Sequence, residues 1–163
     1  MTRRLAIMVV AGTLALAVSS RRLAAQPGVY AKLAGTWVMD STNGPDDHGL
    51  PKSETLVFSN AGQALQIAAT TDDGKGPGKS AFECTTKGAA ADAGGGASTH
   101  CTVHPYADSV VYAIDILQGG KVVAGERGRL VVSGAGKSLR DEYDATSGTG
   151  PSTHHRHRYT RQP

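Results

Sequence analysis

The sequence predicts an all-β fold, an antiparallel up-and-down meander closed into a barrel of about eight strands. Three observations carry this expectation. Short segments of alternating apolar and polar residues recur along the chain, and turn residues separate them at nearly regular spacing. No stretch after the first 25 residues holds a helical apolar stripe for three turns. Closure follows because an open sheet of that many strands would leave two edges exposed.

Residues 1–25 stand apart from this pattern and read as a secretory signal peptide. Arg3 and Arg4 form a positive n-region, Leu5 to Val18 an apolar run of 14 residues, and small residues follow at Ala17-Val18-Ser19 and Leu23-Ala24-Ala25. A membrane-spanning helix needs about 20 apolar residues, so no integral span is expected after leader removal. Cleavage fits after either Ser19 or Ala25; the latter leaves Gln26-Pro27-Gly28 to open a single domain over 26–163. The arginine pair is read as an ordinary n-region rather than a twin-arginine signal. Export would place the protein in the periplasm or outside the cell. No cysteine precedes Cys84, which excludes a lipid-modified cysteine at the cleavage site.

The leader also distorts the charge balance. Of 17 Lys and Arg residues, four (Arg3, Arg4, Arg21 and Arg22) leave with it, so 13 basic side chains face 14 acidic ones and the net charge is −1. The basic precursor therefore gives no ground for expecting nucleic acid or anionic lipid as a partner.

Beyond a short turn or single helical coil over 26–34, which offers Tyr30 and Leu33, strands are expected at 34–40, 53–59, 63–71, 79–87, 98–104, 108–117, 121–133, 138–146 and 153–161. Asn43-Gly44-Pro45-Asp46-Asp47, Asn60-Ala61-Gly62, the run 72–78, Gln118-Gly119-Gly120, Ser133-Gly134-Ala135-Gly136 and the run 147–151 supply turn chemistry between them. Leu56 and Phe58 share one face, as do Leu65 and Ile67, with Thr55, Ser59 and Gln66 opposite; Val57 blurs the pattern. Val110, Tyr112, Ile114 and Ile116 line one face of the most apolar strand. Cys84 lies on the face of Phe82, and Cys101 on that of Val103. Both cysteines thus fall on the apolar side of neighbouring strands, and in an oxidising compartment a Cys84–Cys101 disulfide is expected. The low-complexity run 88–97 between them reads as a mobile loop.

Gly35-Thr36-Trp37 on the first strand, Asp73-Gly74-Lys75 in a later turn, and a last strand with basic and aromatic residues together resemble the lipocalin-like (calycin) barrels. The likeness is greatest to the small exported bacterial proteins of that kind, and it covers most of 33–161. It implies structural roles for Gly35 and Trp37, the indole packing across the barrel base with Arg158 or Arg161 over it. Avidin-type barrels share the Gly-Thr-Trp opening but hold their ligand in a box of several tryptophans. This chain has one, so biotin is not expected.

Catalytic signatures are missing. The triplets Gly78-Lys79-Ser80 and Gly136-Lys137-Ser138 lack the earlier glycine of a phosphate loop and read as hairpin turns. There is no Gly-x-Ser-x-Gly, Ser-x-x-Lys or His-Glu-x-x-His. The paired carboxylates Asp46-Asp47 and Asp72-Asp73 fall in turns, and Asp141 and Glu142 face opposite ways on a strand. His155 and His157 share a face and, with Asp141 on the preceding strand, form a weak candidate metal set; Arg156 and Arg158 beside them would repel a cation, and no metal or other cofactor is expected. The resulting reading is an exported, non-catalytic barrel. It would bind a small hydrophobic or amphipathic ligand among Trp37, Leu56, Phe58, Ile67, Phe82, Tyr112 and Ile114. An interior filled by side chains would instead make it a structural or interaction module of the cell envelope.

Overall fold

The computed structural model describes residues 28–40, 51–61 and 63–163. The expected signal peptide, the turn at 43–47, His48 and Gly62 lie outside them. A short helix α1 (Gly28–Leu33) precedes β1 (Gly35–Met39), β2 (Ser53–Ala61), β3 (Ala64–Asp72), β4 (Pro77–Cys84) and β5 (Ala89–Gly94). Then follow β6 (Ala97–Pro105), β7 (Ser109–Gln118), β8 (Lys121–Ser133), β9 (Ser138–Ser147) and β10 (Thr153–Arg161). Every sequential pair from β1 onward is antiparallel except β4 and β5, which share no ladder, and β10 returns to pair with β1. Among the described residues the architecture is a nearly closed meander of ten strands rather than the expected eight or so. No helix among the described residues is long and apolar enough to cross a membrane.

The additional strand that the alternation did not announce is β5. Its sequence, Ala-Ala-Ala-Asp-Ala-Gly, has no apolar periodicity, yet its backbone pairs with β6, Ala89 opposite Cys101 and Ala91 opposite Thr99. The expected mobile loop is therefore largely strand. Gly78-Lys79-Ser80, read as a turn, also lies within a strand, β4. Gly136-Lys137-Ser138 does sit at the β8–β9 connection.

The ring closes at the β4/β5 seam by another route. Beyond β4, Thr85 forms a parallel bridge with Thr102 of β6, the Val103 amide donates to the Thr85 carbonyl at 3.0 Å, and Cys84 is bonded to Cys101. The disulfide is thus a clasp from β4 to β6, strands that are not ladder neighbours.

One end of the barrel is plugged. Val29, Tyr30 and Leu33 of α1 are fully buried, and the Ala34 amide closes the last helical turn on the Tyr30 carbonyl at 2.9 Å. Gly35 then takes φ +127°, a value side chains rarely tolerate, and swings the chain into β1. Trp37 follows, 0 % exposed, its Nε1–H donating to the Leu33 carbonyl at 2.7 Å. Arg161 covers the indole with its guanidinium carbon 4.7 Å from the ring and donates to the carbonyls of Lys32 and Ala34. Of the two arginines expected there, Arg161 has the role. Arg158, one register step of odd parity away, is exposed opposite Arg140 on the outer wall.

Candidate functional site

Above the plugged end the strands enclose a cavity of about 320 Å³. Its position follows from alternation: the inward residues of β2 are Glu54, Leu56 and Phe58, those of β7 Tyr112 and Ile114, those of β9 Asp141 and Tyr143, and those of β10 His157 and Tyr159. Leu56, Phe58, Ile67, Phe82 and Ile114 make an apolar wall, completed by Leu130 of β8. Pro51 and Asp73 place the mouth at the end opposite α1. Six of the seven residues expected at the cavity line it. Trp37 does not, because its indole is used in the plug below.

One glycine shapes the wall. A Cβ on Gly128 of β8 would lie 2.6 Å from Tyr143 Cβ and 2.7 Å from the Cζ and hydroxyl of Tyr112. Glycine leaves room for the Tyr112 ring to lie over β8 beside Tyr143, and the Tyr112 hydroxyl reaches Asp141, donating to Oδ1 at 3.0 Å with Oδ2 at 3.2 Å.

The polar side of the cavity is a connected set of groups. Tyr159 donates its phenolic proton to Glu54 Oε2 at 2.5 Å, and Thr71 donates to Oε1 at 2.9 Å. His157 Nδ1 lies 3.1 Å from the Tyr159 oxygen. Because that phenol's single proton is directed to Glu54, Nδ1 must be the donor in this contact, and in the neutral imidazole Nε2 is left as an acceptor. Nε2 has no hydrogen-bond partner among the described residues, and His157 is 2 % exposed.

Burial and charge act on these groups in different directions. Burial works against ionisation of Glu54, but the imidazole of His157, whose Nδ1 lies 3.6 Å from Oε2, and hydrogen bonds from Tyr159 and Thr71 outweigh it and hold the carboxyl below its ordinary range. Asp141 is pushed well above its ordinary value by burial first and by the fields of Glu126 and Glu54 as well, against the Tyr112 hydrogen bond. Glu126 is raised by burial and by Glu54. Tyr112 and Tyr159 are pushed far up, by burial and then by neighbouring carboxylates, and keep their protons.

The sequence reading found no acid and base held together. The structure assembles Glu54, Glu126, Asp141 and His157 on one cavity wall. Glu54 and Glu126 were missed although the signal was present: Glu54 shares the parity of Leu56 and Phe58, and Glu126 that of Leu130 and Val132. The weak metal set does not form, since no three His, Cys, Asp or Glu side chains among the described residues are grouped to hold an ion. His155 instead stacks on Tyr143 with ring centroids 4.9 Å apart. Nor do the arginines beside the histidines face inward: both are exposed, and Arg156 donates to Glu142 at 3.0 Å on the outer wall.

No family profile and no curated protein sequence matches the chain. Solved structures do. A secretory abundant heat soluble protein from Ramazzottius varieornatus superimposes with TM-score 0.54 at 8% identity, over 80% of this chain and 96% of that one. The barrel has the calycin fold. The REP1-NXSQ fatty acid transporter gives TM-score 0.50 at 14% identity over 82% of this chain and 98% of its own. A Schistosoma mansoni fatty acid binding protein in complex with arachidonic acid gives 0.50 at 11% identity, over 83% and 100%. At such identities the likeness concerns the course of the chain, and the side chains within this barrel are its own.

Proposed function

We propose that this protein is an exported, non-catalytic barrel that binds a small hydrophobic or amphipathic ligand in its interior. The observation that carries the reading is the cavity of about 320 Å³ with an apolar wall and a few convergent polar groups. That volume corresponds to roughly ten waters at about 30 Å³ each, which an apolar chain would displace. Fatty-acid transport and binding in the names of two structural neighbours support the reading. The cavity weighs against the alternative of a filled barrel serving as an envelope interaction module. Export rests on the leader-like residues 1–25, and a buried disulfide is in keeping with an oxidising compartment.

Titration of the purified protein with an environment-sensitive apolar dye tests this. Saturable binding near one equivalent, reversed by amphiphiles, is expected. A cooperatively folded protein with no saturable dye binding would refute it and return attention to the outer surface.

A further inference from the structure

We infer that the ligand's head is cationic and donates hydrogen bonds, an alkylammonium rather than a carboxylate, seated among Glu54, Asp141 and His157; this rests on the reading that the barrel binds a ligand at all.

The first argument is charge. Among the described residues, no lysine or arginine lines the cavity. Glu54 from β2, Glu126 from β8 and Asp141 from β9 lie within one another's fields, and Asp73 adds a carboxylate at the rim, where exposed Lys75 approaches it at 4.0 Å. A carboxylate head would add a like charge to groups that already repel one another.

The second argument is the supply of protons for hydrogen bonding. The phenolic protons of Tyr159 and Tyr112 are directed to Glu54 and Asp141, and that of the Thr71 hydroxyl to Glu54. His157 Nδ1 is engaged by the Tyr159 oxygen, which leaves buried Nε2 without a partner among the described residues, an acceptor on the cavity wall in the neutral imidazole. An ammonium brings three donors and no acceptor, matching carboxylate oxygens and an imidazole lone pair.

A consequence distinguishes this head from any neutral one. Burial and the neighbouring carboxylates raise Asp141 and Glu126 above their ordinary values, so both take up protons more readily than a free carboxyl. A bound ammonium supplies the missing positive charge, so protons leave these carboxyls as it enters. The phenols of Tyr112 and Tyr159, which also face it, keep theirs.

The test is competition by decylammonium, decanol and decanoate against a neutral apolar dye on the purified protein near neutral pH. Calorimetry in two buffers of different ionisation enthalpy accompanies it. Decylammonium is expected to displace the dye at a concentration lower than decanoate by about tenfold or more, with net proton release. Glu54→Gln and, separately, Glu126→Gln are expected to lower the decylammonium-to-decanol preference several-fold. Taking that ratio within each variant cancels any change in cavity volume. Glu126 is half-buried, so its variant keeps the test open should Glu54→Gln fail to fold.

If decanoate competes as well as decylammonium while the dye still binds saturably, the cationic head is wrong and the ligand-binding reading stands. An unchanged preference in both variants also overturns the assignment. If the folded protein binds no dye, both readings fall together.

Discussion

Opening the Cys84–Cys101 clasp is expected to destabilise the barrel by about 3 kcal/mol. The bond closes a loop with a sequence separation of 17, and chain-entropy arithmetic for a loop of that size gives this value. Against a total of roughly 5–15 kcal/mol, the loss would lower the melting temperature of a domain this size by roughly 10 °C. Location adds a second, local effect. β4 and β5 share no ladder, so without the disulfide the seam is held by the Thr85–Thr102 bridge and the hydrogen bond from Val103. Amide exchange in 77–84 and 89–94 should therefore rise more than in β7 to β9. Urea denaturation of the oxidised and reduced wild type is the assay, because reduction leaves both buried sulfurs in place. Cys84→Ala/Cys101→Ala would add the cost of vacated core volume, since the two residues are 0 % and 1 % exposed. A loss below about 1 kcal/mol with unchanged exchange at the seam would refute the clasp role. Two reactive thiols in the native protein would remove the bond itself.

Three further outcomes are expected. Arg161→Ala removes two carbonyl hydrogen bonds and the cation over Trp37 and should cost about 3 kcal/mol by urea midpoint, with altered Trp37 emission, whereas Arg158→Ala on the outer wall should stay within about 0.5 kcal/mol. Equal effects of the two would contradict the plug. Gly128→Ala forces a Cβ to within 2.7 Å of the Tyr112 ring and should cost about 1–3 kcal/mol while weakening dye binding; unaltered stability and affinity would count against the ring packing. Asp141, whose folded carboxyl is raised, favours the fold in acid and loses that contribution as pH climbs from the ordinary carboxylate range through its raised folded value. Glu54, lowered, contributes above the ordinary range and loses that contribution as pH falls through its folded value. Asp141→Asn should therefore gain stability relative to wild type as pH rises, and Glu54→Gln should lose it. Parallel pH profiles for wild type and Asp141→Asn would sink the assignment for Asp141.

Most of the barrel was legible because strand residues facing a core must alternate. Leu56, Phe58, Ile67, Phe82, Tyr112 and Ile114 announce their shared interior by spacing alone, and all six line the cavity. β5 was hidden for the converse reason: its alanines and glycines carry no contrast between faces, and only the backbone of β6 makes them a strand. Trp37 was correctly placed at the barrel base by family resemblance but wrongly included in the cavity wall. Its hydrogen bond to Leu33 and its cover by Arg161 belong to the plug.

Parity is a local property, and it sufficed for the strands that face the core, with β5 excepted, for their inward residues and for the pairing of the only two cysteines. It even marked Glu54 and Glu126 as inward. It carried no information on distance across the barrel, and so none on whether inward polar groups meet. Glu54 and Tyr159 are 105 residues apart, and Tyr112 and Asp141 are 29 apart; closure of the ring and the absence of a side chain at Gly128 bring these pairs into hydrogen-bond contact. Charge that would be solvated on any single strand becomes an acidic cavity wall, with the carboxyls of Asp141 and Glu126 raised above their ordinary values, only when four strands turn it toward the same enclosed space.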